Sequence, residues 1–382
     1  MKEFIKEKFN EDLLYMFDII KKTHPNLYYV ISERELNSLI DNYMKDKNIN
    51  TYEKSIYYIM QIFNRIGDSH TKLNFYNNKT RVKFTVIDKS IYVKEYDKLP
   101  SLVGGKLTCI NGVDINNILR ELSEIIVPRT IDGIYSEIEH ALSNKVLLML
   151  LPSIEGNDRI KYTIKKDGKT YKIKENVFEV NQIKKDKEYY NYRRENNVII
   201  INYKRCKNMD DYTFDSMVES IKQEEGIFGY IVDLRGNDGG NSSIIKPLIE
   251  FLKDKKVVTL IDKAVFSSGI IAMVDLRRIG SVLIGTNVAE RVNSFGETFR
   301  GKTENYDMNF ICSKKYFYLK DNEIKYIEGQ EEYKKFESDQ SNVRYLYPVW
   351  IQPDLYKEKT YEDLINNTDS VLEFALDFFK NK

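Results

Sequence analysis

The 382-residue chain is poor in the residues that build the commonest covalent and metal frameworks: it has three cysteines, three histidines, seven prolines and one tryptophan. Cys109, Cys206 and Cys312 are far apart, odd in number and form no CxxC pair. A complete disulfide framework is therefore not expected, and reduced thiols are. His24, His70 and His140 are dispersed and HExxH is absent, which argues against a histidine-rich metal site; counting says nothing about carboxylate-only sites. Charge of one sign is lacking too. Fifty-nine Lys plus Arg against 58 Asp plus Glu leave +1, so no large basic footprint for a nucleic acid is expected. The lysines at 184–187 are interrupted by Asp186 and read as a solvated linker, and the 28 tyrosines are scattered without forming a stacking platform. Neither GxGxxG nor GxxxxGK[ST] occurs. There is no membrane-length apolar run, and Met1–Asn10 is charged rather than signal-like, so a chain complete as given is expected in the cytoplasm without membrane insertion.

What is present suffices for a sizeable core. Hydrophobic residues make up 42% of the chain and charged residues 31%, and the length allows two or three domains. Residues 1–75 read as helical: Leu13, Met16, Phe17 and Ile20 recur at helical spacing before His24-Pro25. Ser32 and Glu35 form a capping-box pattern, and Ile56, Ile59 and Phe63 line a third helix ending at Gly67. From 80 to 180 short β-type runs take over, among them Val82–Ile87 and the pair flanking Lys166-Asp167-Gly168, a hairpin signal. Asn181–Asn197 reads as a linker or crossing segment. From 195 to 382 apolar strands (Val198–Tyr203, Phe228–Leu234, Val257–Ile261, Ser281–Ile284) alternate with helical stretches, which predicts a parallel sheet with helical crossovers. Residues 303–350 look less regular, and Ser370–Phe379 offers a closing helix.

Three segments carry candidate chemistry. Asp233-Leu234-Arg235-Gly236-Asn237-Asp238-Gly239-Gly240 lies where a buried strand gives way to a helix, and the bare amides of Gly239 and Gly240 suit an oxyanion or phosphate; a simple tight turn is the competing reading. Val265-Phe266-Ser267-Ser268-Gly269 occupies a second strand-to-helix turn. There a serine hydroxyl could face the crevice above the sheet, although helix capping by either serine is the commoner use of that position. In Gly67-Asp68-Ser69-His70-Thr71, His70 is the strongest histidine base because it sits among hydroxyl and carboxylate neighbours in a turn. Adjacency does not make Asp68 or Ser69 its orienting group.

In order along the chain, GDSHT (67–71), GGKLTCINGVD (104–114), YIVDLRGNDGG (230–240), VTLIDKAVFSSGIIAMVDLRRIGSVLIGTNVA (258–289) and the tail 351–375 resemble the tail-specific, or C-terminal-processing, serine peptidase family. The tricorn-core and retinoid-binding-protein-like branches are nearer than the Ser-Lys dyad branch. The resemblance implies an α/β, ClpP/crotonase-like catalytic domain (195–382), an N-terminal helical region (1–75) and a small PDZ-like β-rich module (80–180). It implies Ser267 as nucleophile, and the main-chain donor of Ser268 together with that of Gly239 or Gly240 as the oxyanion hole. It also implies a peptide or unfolded protein as substrate, with no cofactor. The segment Gly285–Gly296 has no lysine for a dyad, and the guanidinium of Arg291 stays protonated. The tricorn-like branch uses a histidine instead, and Ser69-His70 resembles its Ser-His element, so the resemblance implies His70 as base with Ser69 in support. The branch's late glutamate is absent from Tyr345–Asp354, which leaves Glu290, Glu297 or Asp68 as the orienting acid, and Ile270 stands where an acidic residue is common. A catalytically degenerate scaffold binding a peptide or an apolar ligand is the alternative expectation.

Overall fold

The structure, a computed structural model, describes residues 4–74, 80–127, 129–154, 159–176 and 188–380. The lysine-rich tract at 184–187 falls outside them. The chain opens with α1 (Lys6–Thr23), α2 (Glu33–Lys45) and α3 (Tyr52–Ile66). Ser32 and Thr51 each accept a hydrogen bond from the amide three residues on, closing the starts of α2 and α3. The reciprocal half of the expected capping box is not made, because Glu35 pairs with Arg65. Gly67 ends α3 at φ 74°, a conformation that spares the last turn a Cβ clash. The apolar stripes of the three helices meet in one core with β1 (Lys72–Leu73) and residues from the last third of the chain, Met308, Phe310 and Cys312.

A second body comprises β2 (Val82–Ile87), β3 (Ser90–Tyr96), β4 (Lys106–Ile110), β5 (Val113–Asp114), α4 (Ile115–Ile125), α5 (Ile131–Leu142), α6 (Lys145–Met149), β6 (Arg159–Lys166) and β7 (Lys169–Asn176). Its antiparallel sheet runs β2-β3-β4-β6-β7, with β5 on β4. Asp167 and Gly168 turn β6 into β7 with φ 49° and 72°, the positive angles that match the strands' twist. Gly104 lies against the later helical tail, where the Tyr361 hydroxyl donates to its carbonyl (3.0 Å).

The third body follows the predicted alternation: β8 (Tyr190–Glu195), β9 (Val198–Tyr203), α7 (Phe214–Lys222), β10 (Gly229–Asp233), α8 (Lys246–Leu252), β11 (Val257–Ile261), α9 (Ser268–Arg278) and β12 (Val282–Gly285). Then come β13 (Ser294–Lys302), β14 (Asn309–Lys320), β15 (Glu323–Glu328), α10 (Gly329–Ser338), α11 (Val343–Leu346), β16 (Leu355–Tyr356), α12 (Tyr361–Asn366) and α13 (Ser370–Lys380). The sheet order is β16-β12-β11-β10-β9-β8, parallel except for β8. Period two divides the strands between the faces. Ile199 and Ile201 join the core under α7, α8 and α9, whereas Ile200 joins the one under α13.

Two expectations are corrected. Residues 190–195 are not linker but the antiparallel edge strand β8, paired with β9 across a turn at Asn196. The stretch 303–350 is regular. The 12-residue β14 pairs along one side with β13 and along the other with β1 and β15 in succession. Its apolar residues do not alternate because both halves meet different neighbours, so the strand period is obscured. Among the described residues no helix is long and apolar enough to cross a membrane.

Candidate active site

β11 leads into a turn that ends at Ser267, immediately before α9. Ser267 has φ 54° and ψ −125° and makes no side-chain capping bond. A non-glycine residue at such angles costs about 1–3 kcal/mol and persists only where its surroundings impose it. The capping expected of the serine pair is not seen: Ser268 instead donates its hydroxyl to the Gly240 carbonyl (2.7 Å).

The glycine turn after β10 supplies those surroundings. Asp233, at the end of β10, receives Lys204 and Arg235 (both 2.9 Å), and Arg235 reaches on to both oxygens of Asp369 (2.7 and 2.8 Å). Asn237 then ties three segments together. Its side-chain amide donates to the Tyr203 carbonyl (2.8 Å), its main-chain carbonyl accepts from Phe266 (2.9 Å), and its Oδ1 accepts from the Gly239 amide (2.9 Å). Gly239 has φ 94°, and a Cβ there would lie 2.8 Å from that of Ser267, so only glycine permits this approach. Of the two glycine amides offered as donors, that of Gly239 is thus already engaged. The amides of Gly240 and Ser268 have no partner among the described residues.

The polar turn after α3 is fixed by β14. Asp68 Oδ1 accepts the His70 amide (3.0 Å), while Oδ2 accepts from Ser313 Oγ (2.6 Å), from Thr71 and from His24 Nε2 (3.0 Å). Burial alone would raise the Asp68 pKa; the His24 bond and charge outweigh it and hold the carboxyl well below the usual range. Asp68 therefore secures the turn through His24 and does not touch the His70 ring.

That ring faces a different acid. Ser69 Oγ donates to Glu290 Oε1 (2.5 Å) and lies 3.4 Å from His70 Nδ1, which is 3.8 Å from Glu290 Oε2. Glu290 follows β12 in a loop anchored by the Ala289 amide on the Val265 carbonyl (3.0 Å). His70 Nε2 is buried and unpaired. Burial pushes the His70 pKa below its ordinary value, against the pull of Glu290 and Asp68 and with the push of Arg129 and Lys72. A neutral ring with its proton on Nδ1, facing the carboxylate, leaves Nε2 as an acceptor. The ring stacks on Phe266, the residue before Ser267, with centroids 4.5 Å apart and planes 16° from parallel. Glu297 lies elsewhere, on β13, paired with Lys315 (3.0 Å) and Lys314 (3.6 Å).

Sequence reasoning missed Arg129, Lys72 and the stacking role of Phe266. The Arg129 guanidinium lies 4.0 Å from the Phe266 ring centroid and pairs with Glu137 (2.8 Å). Phe266 preceding the candidate serine was a visible signal; nothing around Arg129 or Lys72 marked them. Beside Phe266 opens a cavity of about 600 Å³, walled by Phe84 and Leu122 of the β2–β7 body, Leu73 and Lys72 of β1, and Gly236. Among the described residues no group of three or more His, Cys, Asp or Glu side chains gathers as a metal site.

No protein-family model and no curated protein matches the sequence. Solved structures do. Mature CPAF is 10% identical, with 99% of this chain and 98% of that one covered and a TM-score of 0.66. Mature CPAF complexed with lactacystin is 10% identical with 99% of each chain covered, at 0.67. The photosystem II D1 C-terminal processing protease is more distant, 9% identical over 91% and 93% of the two chains, at 0.46. The likeness to CPAF spans the whole α/β architecture, and at this identity it is a likeness of fold.

Proposed function

We propose that this chain is a serine peptidase of the tail-specific kind, working through an acyl-enzyme on Ser267. One observation carries the reading: the strained Ser267 stands at the head of α9 with the open amides of Gly240 and Ser268 beside it, on the residue whose ring stacks against His70. In this reaction Ser267 Oγ attacks the peptide carbonyl carbon as its proton passes to His70 Nε2. The oxyanion that forms accepts hydrogen bonds from Gly240 and Ser268, aided by the positive end of the 11-residue α9. His70 returns the proton to the departing amine, and water then releases the acyl group by the same relay.

Glu290 is the orienting acid of this scheme, because it is the carboxylate nearest Nδ1 and Ser69 fixes its other oxygen. Asp68 acts one step removed, holding the turn. Gly239 shapes the approach to Ser267 rather than donating to the oxyanion. The β2–β7 body, read from the sequence as PDZ-like, walls the cavity beside Phe266, which favours a part in receiving substrate.

Fluorophosphonate labelling tests the proposal. The expected result is a single adduct on Ser267, lost in Ser267→Ala together with peptide cleavage. Absence of an adduct from correctly folded protein overturns the peptidase reading and leaves a peptide- or apolar-ligand-binding scaffold, to which the largely apolar cavity would then belong.

A further inference from the structure

The cavity beside Phe266 holds charged groups whose pairing is uneven. Arg129 is matched by Glu137 (2.8 Å), Glu139 by Lys263 (2.6 Å), and Lys83 by Glu95 (2.7 Å). Asp238, at the rim, faces Arg205 (3.6 Å). Lys72 is different: half-buried in the cavity wall, it makes no ion pair or side-chain hydrogen bond with any described residue. Glu137 acts on it only at longer range and is already committed to Arg129. Lys94, the other cation without an ion pair, lies exposed on β3. The carboxylates of the wall are thus spent, and the surplus charge is positive.

A half-buried ammonium with carboxylates only at longer range is costly, and a carboxylate arriving in the same cavity offsets that cost. Much of the rest of the wall, including Phe63, Leu73, Phe84 and Leu122, is apolar, so an occupant that carries its charge on an apolar stem or among apolar neighbours fits it. A cavity of about 600 Å³ also exceeds one side chain, which suits a run of peptide passing through rather than a single terminal residue. We propose that Lys72 is a specificity residue that receives an acidic side chain, Glu or Asp, of a peptide lying between the β2–β7 body and the Phe266 turn. The inference rests on the peptidase reading for its catalytic consequence, but not for the binding itself. Burial, followed by Arg129, lowers the Lys72 pKa against the pull of Glu137, Glu290 and Asp68.

The test separates the two ideas. C-terminally amidated, blocked peptides carrying a single Glu, or Gln in its place, at successive positions make the side chain the only carboxylate. Their affinity is measured by fluorescence anisotropy on Ser267→Ala, and their cleavage on the parent enzyme. At one position Glu is expected to bind at least about tenfold better than Gln. Lys72→Met should abolish that ratio, Lys72→Arg should keep most of it, and Lys72→Glu should turn the preference toward Lys. Equal affinities of Glu and Gln peptides at every position, or an unchanged ratio in Lys72→Met, overturn the inference. A Glu preference that disappears in Lys72→Met supports it even where Ser267 fails to label, and in that case only the peptidase reading falls.

Discussion

Glu290 and Asp68 are both buried carboxylates near His70, but they hold different atoms and so predict different failures. Glu290 faces Nδ1 and is fixed by Ser69, so Glu290→Gln removes the charge that supports an imidazolium while keeping the side chain's shape. The expected outcome is a fall in kcat/KM of about 10²–10⁴-fold with thermal stability little changed. The acidic limb of the pH profile should also move lower, because the carboxylate that raises the His70 pKa is gone. In the parent, that limb should already lie below the ordinary histidine value of about 6.5, since burial dominates. The same shift has a stability sign. The unfolded chain takes up a proton on His70 first as pH falls, so this group's contribution is intact above about pH 6.5 and is lost progressively down to the folded-state pKa. A urea titration series across that window reads it directly. Asp68→Asn breaks the buried His24 pair and should cost about 3–5 kcal/mol of stability.

The elements that matter most are the two strand-to-helix turns and their clasp. Gly239→Ala would bring a Cβ within 2.8 Å of the Ser267 Cβ at φ 94°, so the turn must shift away from the serine. Loss of Ser267 labelling with a stability cost of about 1–3 kcal/mol is expected, checked by adduct mass and thermal melting. Both turns were legible in the sequence, because a buried strand followed by Gly-Gly or Ser-Ser-Gly is a local pattern. So were β2, β9 and β11, whose apolar runs are bounded by turn residues. The choice of donor was not legible: Gly239 and Gly240 are indistinguishable in sequence, and only the reach of Asn237 engages one and leaves the other. Asp68 beside His70 was misleading for a similar reason, since its partner comes from 44 residues away. Strand β14 was hidden because its two halves serve different neighbours.

The whole molecule is held by contacts distant in sequence. Helices α1–α3 share a core with β14, and helix α13 covers the face of the parallel sheet opposite α7–α9. Phe379 of α13 packs on Gly229 at the start of β10, so Phe379→Ala should destabilise the fold by about 3–5 kcal/mol, read as a lower denaturation midpoint with an unchanged slope. The architecture that CPAF shares was readable from the alternation of strands and helices. The cavity was not, because its walls come from residues near 72, 84, 122, 137 and 266, whose convergence no local pattern encodes. Arg235 grips Asp233 close by and Asp369 134 residues later, and that late grip has a consequence in time. During synthesis on a ribosome, residues 70, 240, 267 and 290 all emerge before Asp369 does, so the glycine turn lacks one of its anchors while the nascent chain is still short. The Arg235–Asp369 pair, and with it the last hold on the glycine turn, is therefore expected to form only once nearly all of the described chain has left the exit tunnel.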